Sequence, residues 1–197
     1  MNMSRLEKWF VNRERKAARN FERVRQRLGE LRIDETRDVL EIGSGTGGVA
    51  ARLAEIYRMT VTGTDFDRAQ IELARRLHPE TERLRFRVED AAALSFADES
   101  FDLVVSQNVF HHIPDWSRAV AEIRRVLRPH GHLIWLDLTF PRFVKKLLQP
   151  IARGYGLYTA DEIRGAFRLA GFETRFAERL IHGPLVHHHL VLQRPRR

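Results

Sequence analysis

The chain has 197 residues, of which 43% are hydrophobic and 30% charged, as expected for one soluble globular domain with short appendages. It contains no cysteine, which excludes disulfides, thiolate metal sites and cysteine nucleophiles. The sequence shows no signal peptide and no apolar run of about 18 residues, so we expect a soluble, cytoplasmic protein.

The net charge of +8 is unevenly distributed along the chain. Residues 1–32 carry ten basic and four acidic side chains, whereas residues 33–139 carry thirteen basic and eighteen acidic ones. Residues 140–153 carry four basic side chains and no acidic one. Two basic segments therefore flank an acidic centre, and this asymmetry points to an anionic partner, either a nucleic acid or a lipid surface.

The first predicted element is an amphipathic helix over residues 5–28, which Gly29 would end. Its apolar residues recur mostly three, four or seven positions apart, as on one face of a helix. These residues are Leu6, Trp9, Phe10, Ala17, Phe21, Val24 and Leu28. We assign residues 1–32 to this basic helix, which would pack on the domain as a lid, contact a membrane, or do both.

Strands and helices then alternate, which indicates a doubly wound parallel α/β sheet. The predicted elements are strand Val39 to Gly43, helix Gly47 to Tyr57, strand Thr60 to Asp65, helix Arg68 to Leu77, strand Leu84 to Val88, strand Phe101 to Ser106, helix Trp116 to Leu127 and strand Gly131 to Asp137.

The end of the chain breaks this alternation. A helix from Thr159 to Ala170 is predicted, with Thr159 and Glu162 as a capping box. Two consecutive strands follow, Phe172 to Ile181 and Leu185 to Leu192, so the last strand should run antiparallel to its neighbours. We therefore predict a Rossmann-like, seven-stranded α/β domain over residues 33–197, with a small cap at 140–158.

A glycine-rich loop lies where the first strand turns into a helix, with the sequence Glu41-Ile42-Gly43-Ser44-Gly45-Thr46-Gly47-Gly48. Such glycines let the backbone pass close to a ligand, and the helix N-terminus offers free N–H groups. One interpretation is a dinucleotide-binding GxGxxG fingerprint, with Asp65 as the ribose-binding acid. Alternatively, the loop resembles the (Asp/Glu)-x-Gly-x-Gly-x-Gly loop of class I S-adenosylmethionine (SAM)-dependent methyltransferases.

Three further segments favour the methyltransferase resemblance, which covers roughly residues 37–195. Asp65 ends the second strand, where it would take both ribose hydroxyls. Asp90 and Ala91 follow the third strand, where family members contact the adenine amino group and ring. The turn before the fifth predicted strand resembles the family's Leu-Lys-Pro-Gly-Gly, with His130 in place of the first glycine.

This resemblance implies SAM as cofactor and S-adenosylhomocysteine as product. Carboxylates at the ends of successive parallel strands suit a sulfonium ligand that has no pyrophosphate. Gln107, after the fourth strand, would contact the methionine end of SAM. The residues expected to hold SAM are Glu41, Gly43, Gly45, Asp65, Phe66, Asp90, Ala91 and Gln107.

The segment from Ser106 to Pro114 would line the cavity beside the methyl group. It lacks the Asn/Asp-Pro-Pro-aromatic motif of the DNA and glutamine amino-methylating enzymes. His112 is the candidate acid–base residue, because this segment resembles the phosphoethanolamine N-methyltransferases. The alternative is that His111 and His112 only pack at a helix start. Tyr155 and Tyr158 of the cap are candidate acceptor contacts, although Tyr158 could instead pack before the helix.

Residues 140–153 alternate bulky apolar and basic side chains, as does the helix over 5–28, so both are candidate contacts with an anionic membrane. We therefore favour a lipid or lipophilic acceptor, either a phospholipid head-group amine or a quinone. A soluble metabolite or RNA is the alternative, and a SAM-binding subunit without its own catalysis is a third. No metal site is expected, even at His187-His188-His189, and the oligomeric state is left open.

Overall fold

The computed structural model describes residues 5–31, 37–152, 154–182 and 185–196. Within these ranges, the side chains of residues 5–13, 30, 181, 182 and 185 lie outside the description. Leu6, Trp9 and Phe10 of the predicted apolar face are among them.

Seven strands and six α-helices span the described residues, with one 3-10 turn after β4. In chain order the elements are α1 (Arg5–Leu31), β1 (Asp38–Ile42), α2 (Gly48–Ile56), β2 (Thr60–Asp65), α3 (Arg68–Leu77), β3 (Leu84–Val88), β4 (Phe101–Gln107), the 3-10 turn (Phe110–His112), α4 (Trp116–Val126), β5 (Leu127–Thr139), α5 (Arg142–Leu148), α6 (Ala160–Leu169), β6 (Glu173–His182) and β7 (Leu185–Gln193).

The strands form a single sheet in the order β3-β2-β1-β4-β5-β7-β6. Strands β1 to β5 pair in parallel, and β7 is antiparallel to both β5 and β6. The predicted seven-stranded doubly wound sheet with an antiparallel last strand is therefore confirmed. The chain leaves β1 in one direction through β2 and β3, and returns beside β1 as β4. Open α/β sheets bind ligands at such a reversal of strand order, beyond the carboxyl ends of the strands.

Each face of the sheet is covered by its own hydrophobic cluster, because successive strand residues point to opposite faces. One cluster joins Leu40, Val104 and Trp135 to α4 and α6. The other joins Val39, Leu103 and their neighbours to α1, α2 and α3. Helix α1 contributes three buried side chains to this second cluster, namely Phe21, Val24 and Leu28.

Helix α1 continues through Gly29 to Leu31, so the predicted stop at Gly29 is wrong. Gly29 does not take a left-handed backbone conformation, and Leu31 packs on the second cluster. This contact favours a further turn of helix.

The basic segment of the cap forms a short helix, α5. Pro141 precedes it with φ −56°. That angle, fixed by the proline ring, suits the start of a helix.

Candidate active site

The glycine loop is held in place by contacts on both of its sides. Gly43 has φ 71°, and a Cβ atom there would lie 1.9 Å from Cγ2 of Val109. Only glycine fits both the angle and the contact. On the other side, the Gly45 N–H donates to Oδ2 of Asp65 at 2.9 Å. Oδ1 of Asp65 accepts from the Asp67 N–H at 3.0 Å, so this carboxylate fixes the loop as well as facing the ligand space.

A cavity of about 1120 Å³ opens at this edge of the sheet. Pockets that bury one drug-sized ligand measure about 300–1,000 Å³, so the volume is large enough for a cofactor and an acceptor together. The structure brings every predicted cofactor residue and the candidate acid–base residue to its wall. These are Glu41, Gly43, Gly45, Asp65, Phe66, Asp90, Ala91, Gln107 and His112.

Glu41 lies at the bottom of the cavity and is buried. Burial raises the pKa of its carboxyl group to about 8. A hydrogen bond from the Ala50 backbone opposes the rise in pKa, and the charge of Asp65 adds to it. A positively charged group brought into the cavity would favour the ionised form of Glu41.

Three buried polar atoms around the cavity have no hydrogen-bond partner within the described residues. They are Oε2 of Glu41, Oγ of Ser44 and Oε1 of Gln107. Buried polar atoms are nearly always paired, so these acceptors and the hydroxyl fit a ligand that carries its own donors. An amino-acid ammonium group is one such donor, and the methionine end of SAM carries one.

Another part of the wall carries an aromatic ring and the turn after β3. Phe66 is 76% exposed at the cavity rim, where an aromatic ring could stack on a purine base. Oδ1 of Asp90 accepts from the Ala92 N–H at 2.9 Å and so shapes the turn after β3. Ala91 is buried beside it. The geometry therefore offers one polar end and one end suited to a planar ring.

Helix α1 forms part of the wall, and sequence reasoning missed its contributing residues. Lys16, Ala17 and Asn20 line the cavity. Nε2 of Gln107 donates to the Asn20 carbonyl at 3.1 Å. A Cβ atom on Gly48 would lie 2.7 Å from Cβ of Ala17, so α1 and α2 pack closely. The small residue at position 17 was the available signal, because close helix packing requires one.

The acceptor side of the cavity is formed by the segment after β4. His112 lines the wall, followed by Ile113 and Pro114. Partial burial lowers the pKa of His112 below its usual 6.5, as do the charges of His111 and Lys16. The Asp137 carboxylate acts on this pKa in the opposite direction. His112 is therefore neutral at pH 7 and has a ring nitrogen available to accept a proton.

The two cap tyrosines take different places. Tyr155 is half-exposed, and its ring centroid lies 5.8 Å from that of His112. Its neighbour Gly154 lines the cavity. Tyr158 does not line the cavity: it is fully buried beside Trp116 and Trp135. Tyr158 as an acceptor contact is therefore wrong, because its ring fills the core between α4 and β5.

Sequence reasoning also missed Asp137, which lies near the end of β5 and is fully buried. Nδ1 of His111 lies 2.6 Å from Oδ1 of this carboxylate. The signal was present, because Asp137 interrupts the apolar run from Leu133 to Leu138. The histidines 188 and 189 are buried in β7, and their pKa values are lowered to about 4 by burial and by nearby arginines.

Among the described residues, no helix has both the length and the apolar character needed to span a bilayer. The strand order, the glycine loop and the carboxylates at strand ends together define the class I SAM-dependent methyltransferase fold.

Comparison with known proteins agrees with this class. A family model described as a methyltransferase domain matches residues 40–135. Over about half of this chain, the sequence is 44% identical to phthiotriol/phenolphthiotriol dimycocerosates methyltransferase 1 of Mycobacterium ulcerans and 40% identical to 2-methyl-6-phytyl-1,4-hydroquinone methyltransferase of Synechocystis. The matched segments cover 51% and 50% of this chain but only 37% and 31% of those relatives.

A similar solved structure is phosphoethanolamine N-methyltransferase 2 of Haemonchus contortus in complex with SAM. It superposes with a TM-score of 0.70 at 19% identity and covers 83% of this chain and 50% of that one. Residues 40–135 therefore match the methyltransferase-domain family, and the fold as a whole is that of the class I SAM-dependent methyltransferases, whose cofactor is SAM.

Proposed function

We propose that the protein transfers a methyl group from SAM to a lipophilic acceptor at an anionic membrane surface. A phospholipid head-group amine is the favoured acceptor, and a quinone is the second. The observation that carries the proposal is the convergence of the predicted cofactor residues and His112 on one cavity, close to an exposed apolar helix of the cap.

The cofactor residues would bind SAM at two ends of the cavity, the adenosine part at one end and the methionine part at the other. Asp65 would accept hydrogen bonds from the ribose hydroxyls, and Asp90 and Ala91 would hold the adenine beside Phe66. Glu41 and Gln107 would bind the methionine end, where their unpaired oxygens lie. The cofactor supplies an electrophilic methyl group on a sulfonium.

The chain's own contribution to transfer is alignment and control of a proton. A displacement is accelerated mainly by holding the two reactants in line in a site from which water is excluded. His112 would accept the proton of an ammonium acceptor at a ring nitrogen, which leaves the amine lone pair free to attack. Neutral His112 at pH 7 suits this role, since a base must be unprotonated to act.

The names of the two curated relatives support a lipophilic acceptor. One is named for dimycocerosates and the other for a phytyl hydroquinone. The solved phosphoethanolamine enzyme supports an amine acceptor with the same fold. A head-group amine of a membrane lipid combines these two properties.

The cap presents an unusual apolar surface, which we call the α5 face. Phe143, Leu147 and Ile151 are spaced four residues apart and are 75%, 74% and 81% exposed. Phe143 and Leu147 lie one turn apart on α5 and Ile151 follows three residues after its end, so three large exposed apolar side chains occur within nine residues. Lys145 does not face solvent freely, because its Nζ pairs with Glu162 at 2.6 Å.

Exposed cations beside the α5 face support an anionic membrane as its partner. Arg142 and Lys146 are exposed on the same helix, although Arg142 also lies 3.9 Å from the exposed Asp161 carboxylate. Each cation near an anionic membrane contributes about 1 kcal/mol. On α1, the exposed cations include Arg15 and Arg19. Helix α1 lines the cavity through Lys16, and Gly154, six residues after α5 ends, lines it too. A lipid contacted by these helices would reach the acceptor side directly.

Vesicle co-sedimentation tests the membrane part of the proposal. The full chain is mixed with phosphatidylglycerol/phosphatidylethanolamine vesicles, with and without S-adenosylhomocysteine, over a range of salt concentrations. We expect salt-sensitive binding that falls at least tenfold in the triple variant Phe143→Ser, Leu147→Ser, Ile151→Ser.

The matched control is Leu169→Ser, because Leu169 is 91% exposed on α6 and lies outside the α5 face. It should bind vesicles as the wild type does. Equal binding of the triple variant and wild type, or no binding by either, would contradict the membrane contact. The search for an acceptor would then turn to soluble metabolites and RNA.

A further inference from the structure

Asp137 forms a buried hub under the acceptor side of the site. Its Oδ2 accepts the N–H groups of Val109 and Phe110, both at 2.7 Å. Its Oδ1 accepts the Leu138 N–H at 2.7 Å and lies 2.6 Å from Nδ1 of His111. A buried carboxylate requires this much hydrogen bonding to remain charged. Three of these contacts, those with Val109, Phe110 and His111, join β5 to the segment that follows β4.

The same segment is clamped from the cap side. The Gly156 N–H donates to the His111 carbonyl at 3.1 Å. A Cβ atom on Gly156 would lie 2.3 Å from the Phe110 carbonyl oxygen and 2.4 Å from that of Ile113. The 3-10 turn is therefore held between the Asp137 carboxylate on one side and Gly156 on the other. These two contacts together fix the position of His112.

The orientation of His111 follows from its partner. A carboxylate only accepts hydrogen bonds, so Nδ1 of His111 carries the proton toward Asp137. The ring centroids of His111 and His112 are 4.0 Å apart, so the fixed His111 ring packs directly against His112. His111 itself is not part of the cavity wall.

We infer that Asp137 and His111 are positioning residues for His112: together they fix its ring at the acceptor side and supply the buried negative charge that faces it. This inference rests on the proposed role of His112 as acceptor-side base. Neither residue touches the acceptor. Their effect on the reaction passes through the orientation and the proton affinity of His112.

The charged and titratable groups that surround His112 come from four elements. They are Lys16 of α1, His111 of the 3-10 turn, Asp137 of β5 and Tyr155 of the cap. Of these, Asp137 raises the pKa of His112, whereas His111 and Lys16 lower it. Removal of Asp137 and removal of His111 should therefore move this pKa in opposite directions, which a purely structural role would not do.

The test is an NMR pH titration of the histidine Cε1–H resonances in the full chain, which needs no acceptor. The His112 resonance is assigned by its loss in His112→Asn. We expect its pKa to fall by roughly half a unit or more in Asp137→Asn. In His111→Asn, which keeps the three backbone bonds of Asp137, we expect it to rise. Asp115→Asn, an exposed charge at the start of α4, should leave it unchanged.

An unchanged pKa of His112 in both variants, or shifts in the same direction, would overturn the inference. If Asp137→Asn does not fold, His111→Asn decides alone: a rise supports the inference and no rise overturns it. Because the titration does not involve methyl transfer, failure to find a methylated acceptor would leave its result unaffected.

Discussion

At the residue scale, the contacts of Asp65 indicate that it both holds the glycine loop and faces the proposed cofactor site. Its carboxylate accepts N–H groups from Gly45 and Asp67, and it faces the cavity where a ribose would lie. Hydrogen bonds to a charged group contribute about 1.5–3 kcal/mol each.

Replacement of Asp65 by alanine should therefore weaken binding of S-adenosylhomocysteine about tenfold to a hundredfold. Isothermal titration calorimetry measures this change. The control is Glu72→Ala, an exposed acid on the neighbouring α3 that is not part of the cavity wall. An affinity of Asp65→Ala equal to that of the control would remove Asp65 from the cofactor site.

Glu41 makes cofactor binding depend on pH. Its pKa of about 8 in the free protein means that its carboxyl group is mostly protonated at pH 7. The positive charge of SAM favours the ionised form, so binding should release a proton. Binding should therefore tighten as pH rises toward about 8.

This dependence is measured as the difference between wild type and Glu41→Gln in SAM affinity from about pH 6 to pH 9, because the ligand's own amino group titrates in the same range. We expect the ratio of the two affinities to increase with pH and then level off. A constant ratio would show that Glu41 does not contact the bound cofactor.

The sequence was sufficient for residues whose position follows from strand ends. Asp65 ends β2 and Asp90 follows the end of β3. Because these strands are parallel, their carboxyl ends lie at the same edge of the sheet. The sequence was insufficient for Asp137, three of whose four partners lie 26 to 28 residues away, and for Lys16. The prediction that Tyr158 contacts the acceptor was wrong for the same reason. Whether a cap residue faces a cavity or the core depends on packing between elements, and the local sequence pattern does not show that packing.

At the scale of elements, α1 combines two functions along its length. Its later part is anchored by Phe21, Val24 and Leu28 in the core. The part around Lys16 and Asn20 covers the cavity. Apolar periodicity predicted the packed face, but the end of the helix was missed. A glycine is a helix stop only where the chain turns into a left-handed conformation, and Gly29 does not.

A stabilising substitution follows from this. Gly29→Ala should increase the free energy of unfolding by about 1 kcal/mol, because glycine inside a helix is less favourable than alanine by that amount. No atom lies within 4 Å of the added Cβ. Urea denaturation measures the change. A decrease in stability would mean that α1 does not continue past Gly29 in solution.

At the scale of the whole molecule, we expect three histidines to dominate the response of stability to acid: His188 and His189, which are buried, and His132, which is partly buried. The pKa values of His132, His188 and His189 are each lowered to about 4, mainly by burial. Between pH 6.5 and about 4 the unfolded chain binds more protons than the folded one, so stability falls as the pH decreases through this window. Glu41, with its raised pKa, acts in the opposite direction from 4.5 to about 8.

The three histidines lower the stability as the pH falls, and Glu41 alone raises it. We therefore expect a lower Tm near pH 5 than near pH 7. Differential scanning calorimetry at constant ionic strength measures it. An equal or higher Tm near pH 5 would contradict the lowered pKa values of these three histidines.

The most direct test of the central claim is methyl transfer itself. The full chain is incubated with SAM labelled on the methyl group and vesicles that contain phosphatidylglycerol and phosphatidylethanolamine, with a hydroquinone lipid in a parallel sample. We expect label in the lipid extract, on the phosphatidylethanolamine amine or, for the second acceptor, on the quinone ring. We also expect its loss in His112→Gln and its retention in Leu169→Ser. A protein that binds SAM yet transfers no label to either lipid would contradict the account.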